Sequence, residues 1–167
     1  MENAIPALVI GAILLAASSL MARGSLQAYD QMGSSIKQME ARLGEQARTR
    51  LTVTSAGLDG ARDTLTVNLR NDGSTRLANF ERVDVIVSAF QSASLAQTFW
   101  LAYTPGAPSL NTWTVVSIVN DVHEPGILNP GETAVLQIEL SPVWPGMTNL
   151  VLITSDTGVT TSYPFAS

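Results

Sequence analysis

The 167-residue chain contains no cysteine. It therefore has no disulfide, no thiolate metal ligand and no cysteine nucleophile. A single histidine, His123, leaves little for a zinc site or a histidine-based triad. Only 14% of the residues are charged, and the formal net charge is −5. No basic surplus is available to meet phosphates, which argues against nucleic-acid binding. Hydrophobic residues make up 46% of the chain. That excludes a disordered polymer, which needs low hydrophobicity and high charge. No N-x-S/T sequon, G-x-G-x-x-G, P-loop, H-E-x-x-H or G-x-S-x-G motif occurs. His123 is followed by Glu124 with no spaced third ligand, so it reads as an ordinary loop residue. Asp59, Asp63 and Asp72 lack the spacing of a calcium loop. The chain is expected to be no enzyme and to carry no catalytic group, cofactor or metal.

Two further absences are local. Residues Ala4–Ala22 hold no charge, and residues 83–167 hold no Lys or Arg. All nine basic residues lie between Arg23 and Arg82. The last half carries the acids Asp84, Asp121, Glu124, Glu132, Glu139 and Asp156, giving an acidic surface. The chain has two parts suited to different surroundings, residues 1–48 and residues 49–167.

The charge-free run is AIPALVIGAILLAASSLMA. At 1.5 Å per residue it makes a helix of about 28 Å, close to the ~30 Å hydrocarbon core of a bilayer. Its large apolar residues Ile5, Leu8, Val9, Ile10, Ile13, Leu14, Leu15, Leu20 and Met21 fall on every side of a helical wheel. Such a helix needs cover on all sides, and lipid or other copies of the chain must supply it. A cleaved signal peptide fits poorly, since the start Met1-Glu2-Asn3 is acidic and the run flows into more helix. A lone membrane anchor is a second reading, but Arg23 then places positive charge at the C-terminal flank, against the usual orientation rule for an external domain. An already removed basic leader would reconcile the two. A third reading is a bundle of identical helices. Small residues, among them Gly11, Ala12 and Ala16, let backbones approach closely.

From Arg23 to about Arg48 the helix continues and becomes amphipathic. Tyr29, Met32, Ile36, Met39 and Leu43 alternate by three and four, making a seam like the apolar edge of a coiled coil. Gly24, Gly33 and Gly44 weaken the helix and are sites of bending or close contact. A continuous helix of about 65 Å results.

From about Thr49 the period changes to two. Leu51 and Val53, Leu65, Val67 and Leu69, then Val83, Val85 and Val87 alternate with polar partners. Ala56–Gly60, Asn71-Asp72-Gly73, Asn129-Pro130-Gly131, Pro145-Gly146 and Gly158 read as turns. Seven to nine short strands are expected. The fold class is α+β: a long N-terminal apolar helix followed by an immunoglobulin-like antiparallel β-sandwich. Trp100, Trp113, Trp144, Phe80, Phe90, Phe99 and Phe165 are the candidate core aromatics.

A charge-free helix that runs without a linker into a sandwich resembles the archaellins and related accessory archaellum subunits, within the type IV pilin-like superfamily. The residues that carry the resemblance are MENAIPALVIGAILLAASSLMA, Thr64–Leu77, Asn111–Leu140 and Val151–Phe165. The resemblance implies a basic leader removed by a prepilin-type peptidase, storage of the subunit in the membrane, and assembly by an ATPase and its membrane platform. The product is an extracellular helical filament with helices at its core and sandwiches as its shell. The expected assembly interface is Ile5, Leu8, Val9, Gly11, Ala12, Ile13, Leu14, Leu15, Ala16, Leu20, Met21, Tyr29, Met32, Ile36, Met39 and Leu43. Swimming filament subunit is the first expectation. A membrane-anchored, stator-like accessory protein and an adhesive pilus subunit are the alternatives.

Overall fold

The computed structural model describes residues 4–167, with side chains from Val9 onward. Helix α1 spans Ala4–Arg48, 45 residues without a break, or about 68 Å. Compact units divide after Leu43, so the last turn of the helix, from Gly44, belongs with the strands.

Eight strands follow: β1 (Leu51–Leu58), β2 (Thr64–Asn71), β3 (Asp84–Ser92), β4 (Leu95–Tyr103), β5 (Thr112–Val119), β6 (Thr133–Glu139), β7 (Thr148–Thr154) and β8 (Thr160–Ala166). A short 3₁₀ turn, Phe80–Arg82, precedes β3. The hydrogen-bonded order is β1-β2-β6-β5-β4-β3-β7-β8. Its first half, β1-β2-β6-β5, has the order A-B-E-D of an immunoglobulin domain. Within its second half, β3-β7-β8 has the order C-F-G, with β4 added at the edge. The pairing is antiparallel throughout except where the halves meet. There β4 and β5 run parallel over two residue pairs, Ala102↔Thr112 and Tyr103↔Trp113. The sandwich is thus not purely antiparallel. The eight residues between β4 and β5 carry the chain back so that both strands point the same way.

Alternation fixes the register. Leu65 lies opposite Ile138, Val67 opposite Leu136 and Leu69 opposite Ala134, and all six are fully buried. In the other half Val85 faces Ile153 and Val87 faces Val151, again buried. A one-residue slip would turn every one of these side chains to the opposite face, so burial itself selects the pairing.

Aliphatic residues fill most of this core. Of the seven aromatics expected inside, Trp113, Phe80 and Phe165 are buried, and Phe90 and Phe99 are half-buried. Trp100 and Trp144 are exposed. Tyr103 takes part instead, edge-on to Trp113 with ring centroids 5.0 Å apart. Strand β1 also runs further than its turn residues suggest. Ala56, Gly57 and Leu58 pair with Val67, Thr66 and Leu65 after a bulge between Val53 and Ser55. The bulge changes which face each residue takes, and so hides the strand from a strict two-residue period.

The second turn in the sequence, Asn71-Asp72-Gly73, does not close a hairpin between neighbouring strands. It wraps the exit of α1. The Ser74 amide donates to the Arg48 carbonyl (2.9 Å) and the Asp72 amide to the Arg50 carbonyl (2.8 Å). The Thr49 and Thr75 hydroxyls meet at 2.7 Å. Asn71, buried, holds the loop from inside: its Nδ2 donates to the carbonyls of Thr75 and Leu128, and its Oδ1 accepts from the Gly73 amide. The Asn129-Pro130-Gly131 turn lies against it, with the Gly131 amide donating to the Asn71 carbonyl (2.7 Å).

Candidate assembly surface

From Val9 onward the large apolar side chains of α1 are exposed. Val9, Ile13, Leu14, Leu15, Leu20 and Met21 are all exposed, Leu15 to 74% and Met21 to 76%. A fully buried side chain of this kind stabilises its state by about 1.5–3 kcal/mol relative to exposure in water. Leaving six or more in water would consume the whole stability of an ordinary domain. The surface is therefore built to be covered. By length and composition the helix is able to cross a membrane.

Polar groups within the run are disarmed locally. Ser18 Oγ donates to the Leu15 carbonyl (3.0 Å) and Ser19 Oγ to the Ala16 carbonyl (2.9 Å). Ser25, Ser34 and Ser35 bond back onto the helix in the same way. A hydroxyl that already has a partner costs little in lipid or in a packed bundle. The sequence shows these serines only as small residues; their bonding follows from the helical backbone.

Further along, the seam residues Tyr29, Met32, Ile36, Met39 and Leu43 are exposed, from 51% at Ile36 to 73% at Tyr29. The structure thus brings Val9, Gly11, Ala12, Ile13, Leu14, Leu15, Ala16, Leu20, Met21 and the seam onto one continuous helix. The side chains of Ile5 and Leu8 lie outside the described residues. No cluster of metal-ligating side chains occurs among the described residues. Asp59 turns its carboxylate onto the Asp63 and Thr64 amides, Asp72 pairs with Arg70 at 2.9 Å, and His123 is an exposed loop residue.

Sequence reasoning missed a second apolar surface. On the outward face of β4, β3 and β7, Trp100 lies opposite Ile86, and Ile86 opposite Leu152. Leu150 follows, 41% exposed, while Trp100 is 64% exposed. The one charge on this row's flank is Asp84, whose Oδ1 accepts from Trp100 Nε1 at 3.0 Å. A signal for it was present. Val85–Val87 and Leu150–Ile153 are unbroken apolar runs, so both faces of β3 and β7 had to be apolar.

No family model matches the chain. An uncharacterized protein of Archaeoglobus fulgidus is 27% identical over 153 residues, covering 91% of this chain and 83% of that protein. Solved archaellum structures are among those similar to the chain. The archaeal flagellum of Methanospirillum hungatei strain JF1 superposes with a TM-score of 0.60 at 15% identity, over 99% of this chain and 93% of that one. The archaellum periplasmic stator protein FlaG from Sulfolobus acidocaldarius gives 0.53 at 24% identity, over 70% of this chain and 99% of that one. The complex of FlaF and FlaG from the same organism gives 0.52 at 24% identity, over 70% and 89%. The chain has the archaellum-related fold: one long apolar N-terminal helix followed by an eight-stranded, mostly antiparallel sandwich.

Proposed function

We propose that this chain is a structural subunit that polymerises, through residues 4–43 of α1, into an extracellular archaellum-type helical filament used for swimming. The observation that carries the reading is a 45-residue helix whose apolar side chains are exposed on every side. Identical helices packed together cover that surface without lipid. Val9, Gly11, Ala12, Ile13, Leu14, Leu15, Ala16, Leu20, Met21 and the seam from Tyr29 to Leu43 form the contacts, with Ile5 and Leu8 completing the N-terminal end. The sandwich, residues 49–167, becomes the outer shell. Before assembly the helix resides in the cell membrane, and an ATPase with its membrane platform drives insertion into the growing filament. Likeness to a filament structure over 99% of the chain supports this reading.

The stator-like alternative has its own support, in the likeness to FlaG and in the apolar outer face around Trp100. In that case the helix stays in lipid and the sandwich binds one partner. Electron microscopy of sheared surface material, with mass spectrometry of the filaments, separates the two. Long filaments composed of this chain support the subunit; recovery only in the membrane fraction assigns the anchored accessory role. Loss of swimming on gene deletion, with adhesion intact, distinguishes the swimming filament from an adhesive pilus.

A further inference from the structure

Residues 85–120 hold no Asp, Glu, Lys or Arg. This run is longer than the charge-free stretch of α1, and it builds β3 after Asp84, all of β4 and all of β5. The other charges of residues 83–167 are all acidic. Two copies of this half therefore meet without opposing like charges only along this sector.

The sector contains a bare strand edge. β5 pairs with β4 at Ala102 and Tyr103 and, being parallel to it, runs on past its end. Beside residues 96–100 nothing takes its place. Among the described residues, no backbone group outside the ladder with β3 bonds to them. Two observations show which groups face outward. The Phe90 amide donates to Asn149 Oδ1 (3.0 Å), and the Phe90 carbonyl accepts from the Trp144 amide (2.7 Å). Phe90 thus turns its backbone away from β4, and Ala96, opposite it, turns away from β3. At the far end the Thr104 amide donates to the Trp113 carbonyl of β5 (2.9 Å). Alternation between these points places the N–H and C=O groups of Ala96, Thr98 and Trp100 on the open edge. Natural edge strands are guarded by lysine, proline or a bulge. β4 reads LAQTFWLAY, with no lysine and no proline. The bulge of its hairpin lies on β3, between Phe90 and Ser92.

The side chains on this edge are self-complementary about Thr98. Antiparallel pairing of two copies with Thr98 opposite Thr98 sets Trp100 of each opposite Ala96 of the other, a large side chain beside a small one. Each of these pairs exchanges both backbone hydrogen bonds, because these are the residues whose groups face out. β1, the strand that α1 runs into, touches β8 at the opposite margin of the sandwich from β4.

We propose that β4 is a two-fold pairing edge for a second copy of this chain, joining the sandwiches of two membrane-held chains. A contact of one strand per copy falls below the ~1,200 Å² of a stable complex. It is weak between free domains and depends on the local concentration that anchoring in one membrane supplies. The inference rests on the membrane residence of α1 proposed above and goes beyond the filament. A helical filament relates its subunits by a screw rather than a two-fold, so the pair parts when a subunit is assembled.

The test uses the full-length chain in its membrane, and the native chain has no cysteine. Thr98→Cys under mild oxidation is expected to give disulfide-linked dimers, since paired Cα atoms about 5.5 Å apart lie within disulfide reach. Ala96→Cys alone sets the two thiols about 14 Å apart along the strands and is expected not to link. Ala96→Cys with Trp100→Cys is expected to link, and it reads the same register without altering Thr98. Adding Thr98→Lys to that double variant opposes two lysines and is expected to cut linking at least about tenfold. Co-expression with the matching Thr98→Glu variant is expected to restore it. No dimer from Thr98→Cys and none from the double variant overturns the pairing. So does equal linking by Ala96→Cys alone, or a linked product whose mass is not twice that of the chain. Each of these leaves the filament reading intact. Absence of the native chain from the membrane overturns the residence of α1 itself.

Discussion

Gly73 passes so close to the backbone of Arg48 that a Cβ there would lie 2.5 Å from the Arg48 carbonyl oxygen and 2.5 Å from the Arg50 nitrogen. The glycine's role is clearance rather than conformational freedom. Hydrogen bonds from Asp72 and Ser74 on either side hold the loop against the end of α1. Gly73→Ala is expected to destabilise the sandwich by about 1–3 kcal/mol, the usual cost of overpacking against atoms that cannot yield. Gly57→Ala, where nothing lies within 4 Å of the added methyl, is expected to be neutral or slightly stabilising. Denaturant unfolding of the detergent-solubilised chain compares the two. Equal stabilities would show that the loop shifts freely and that the helix exit is not clamped.

The tryptophans make a second contrast. Trp113 has no exposed surface, while Trp100 is 64% exposed and has its indole nitrogen on Asp84. Trp113→Ala is expected to cost about 3–5 kcal/mol. Trp100→Ala is expected to stay within about 1 kcal/mol, the range of an exposed site with one polar contact. The same unfolding measurement reads both, and a large loss at Trp100 would mean that the outer face of β3, β4 and β7 is not free.

These two residues also show what a sequence is able to disclose. Periodicity reports a face, so the pairs Leu65–Ile138 and Val85–Ile153 were legible as core. It does not report which side of a sheet a large aromatic takes when both sides are apolar, as on β3 and β7. Sequence alone therefore places Trp100 in the core, whereas it lies on the outer face. The helix was legible because a charge-free run and a seven-residue seam are local properties. The clamp of Gly73 on Arg48 was not, since it joins residues 25 positions apart through backbone atoms that all residues share. Asn71-Asp72-Gly73 has the composition of a hairpin turn, and only the fold shows that it serves the helix exit.

Acid should weaken the β1–β2 turn. Burial pushes the Asp59 carboxyl up, but amide donors from Thr64, Asp63, Ala61 and Arg62 together outweigh it and hold the group below the usual carboxylate value. A carboxyl whose folded value is depressed contributes stability above its unfolded value. It loses that contribution as pH falls through the folded value. The effect thus appears below about pH 4 and is small, because the site is open to solvent. Asp59→Asn is expected to flatten the dependence of Tm on pH between about pH 5 and 2. An unchanged slope would assign the acid sensitivity to other carboxylates.

The covering of α1 is open to a direct test at Leu14, which lies in the middle of the charge-free run and is 65% exposed. A carboxylate at the centre of a membrane helix costs about 2.5–3.5 kcal/mol on insertion scales, and it faces a packed neighbour wherever the helix is surrounded. Leu14→Asp is expected to abolish filaments, while unfolding of its sandwich matches the native chain. Leu14→Ala separates the two environments. It is expected to insert in the membrane normally and yet to give fewer filaments, because the lost methyl groups leave a void at each helix contact. Residues 44–167 alone, which keep the clamped last turn of α1, are expected to be a soluble monomer by size-exclusion chromatography. Normal polymerisation of Leu14→Asp, or a stable polymer from residues 44–167, would move the assembly contacts out of the helix and into the sandwich.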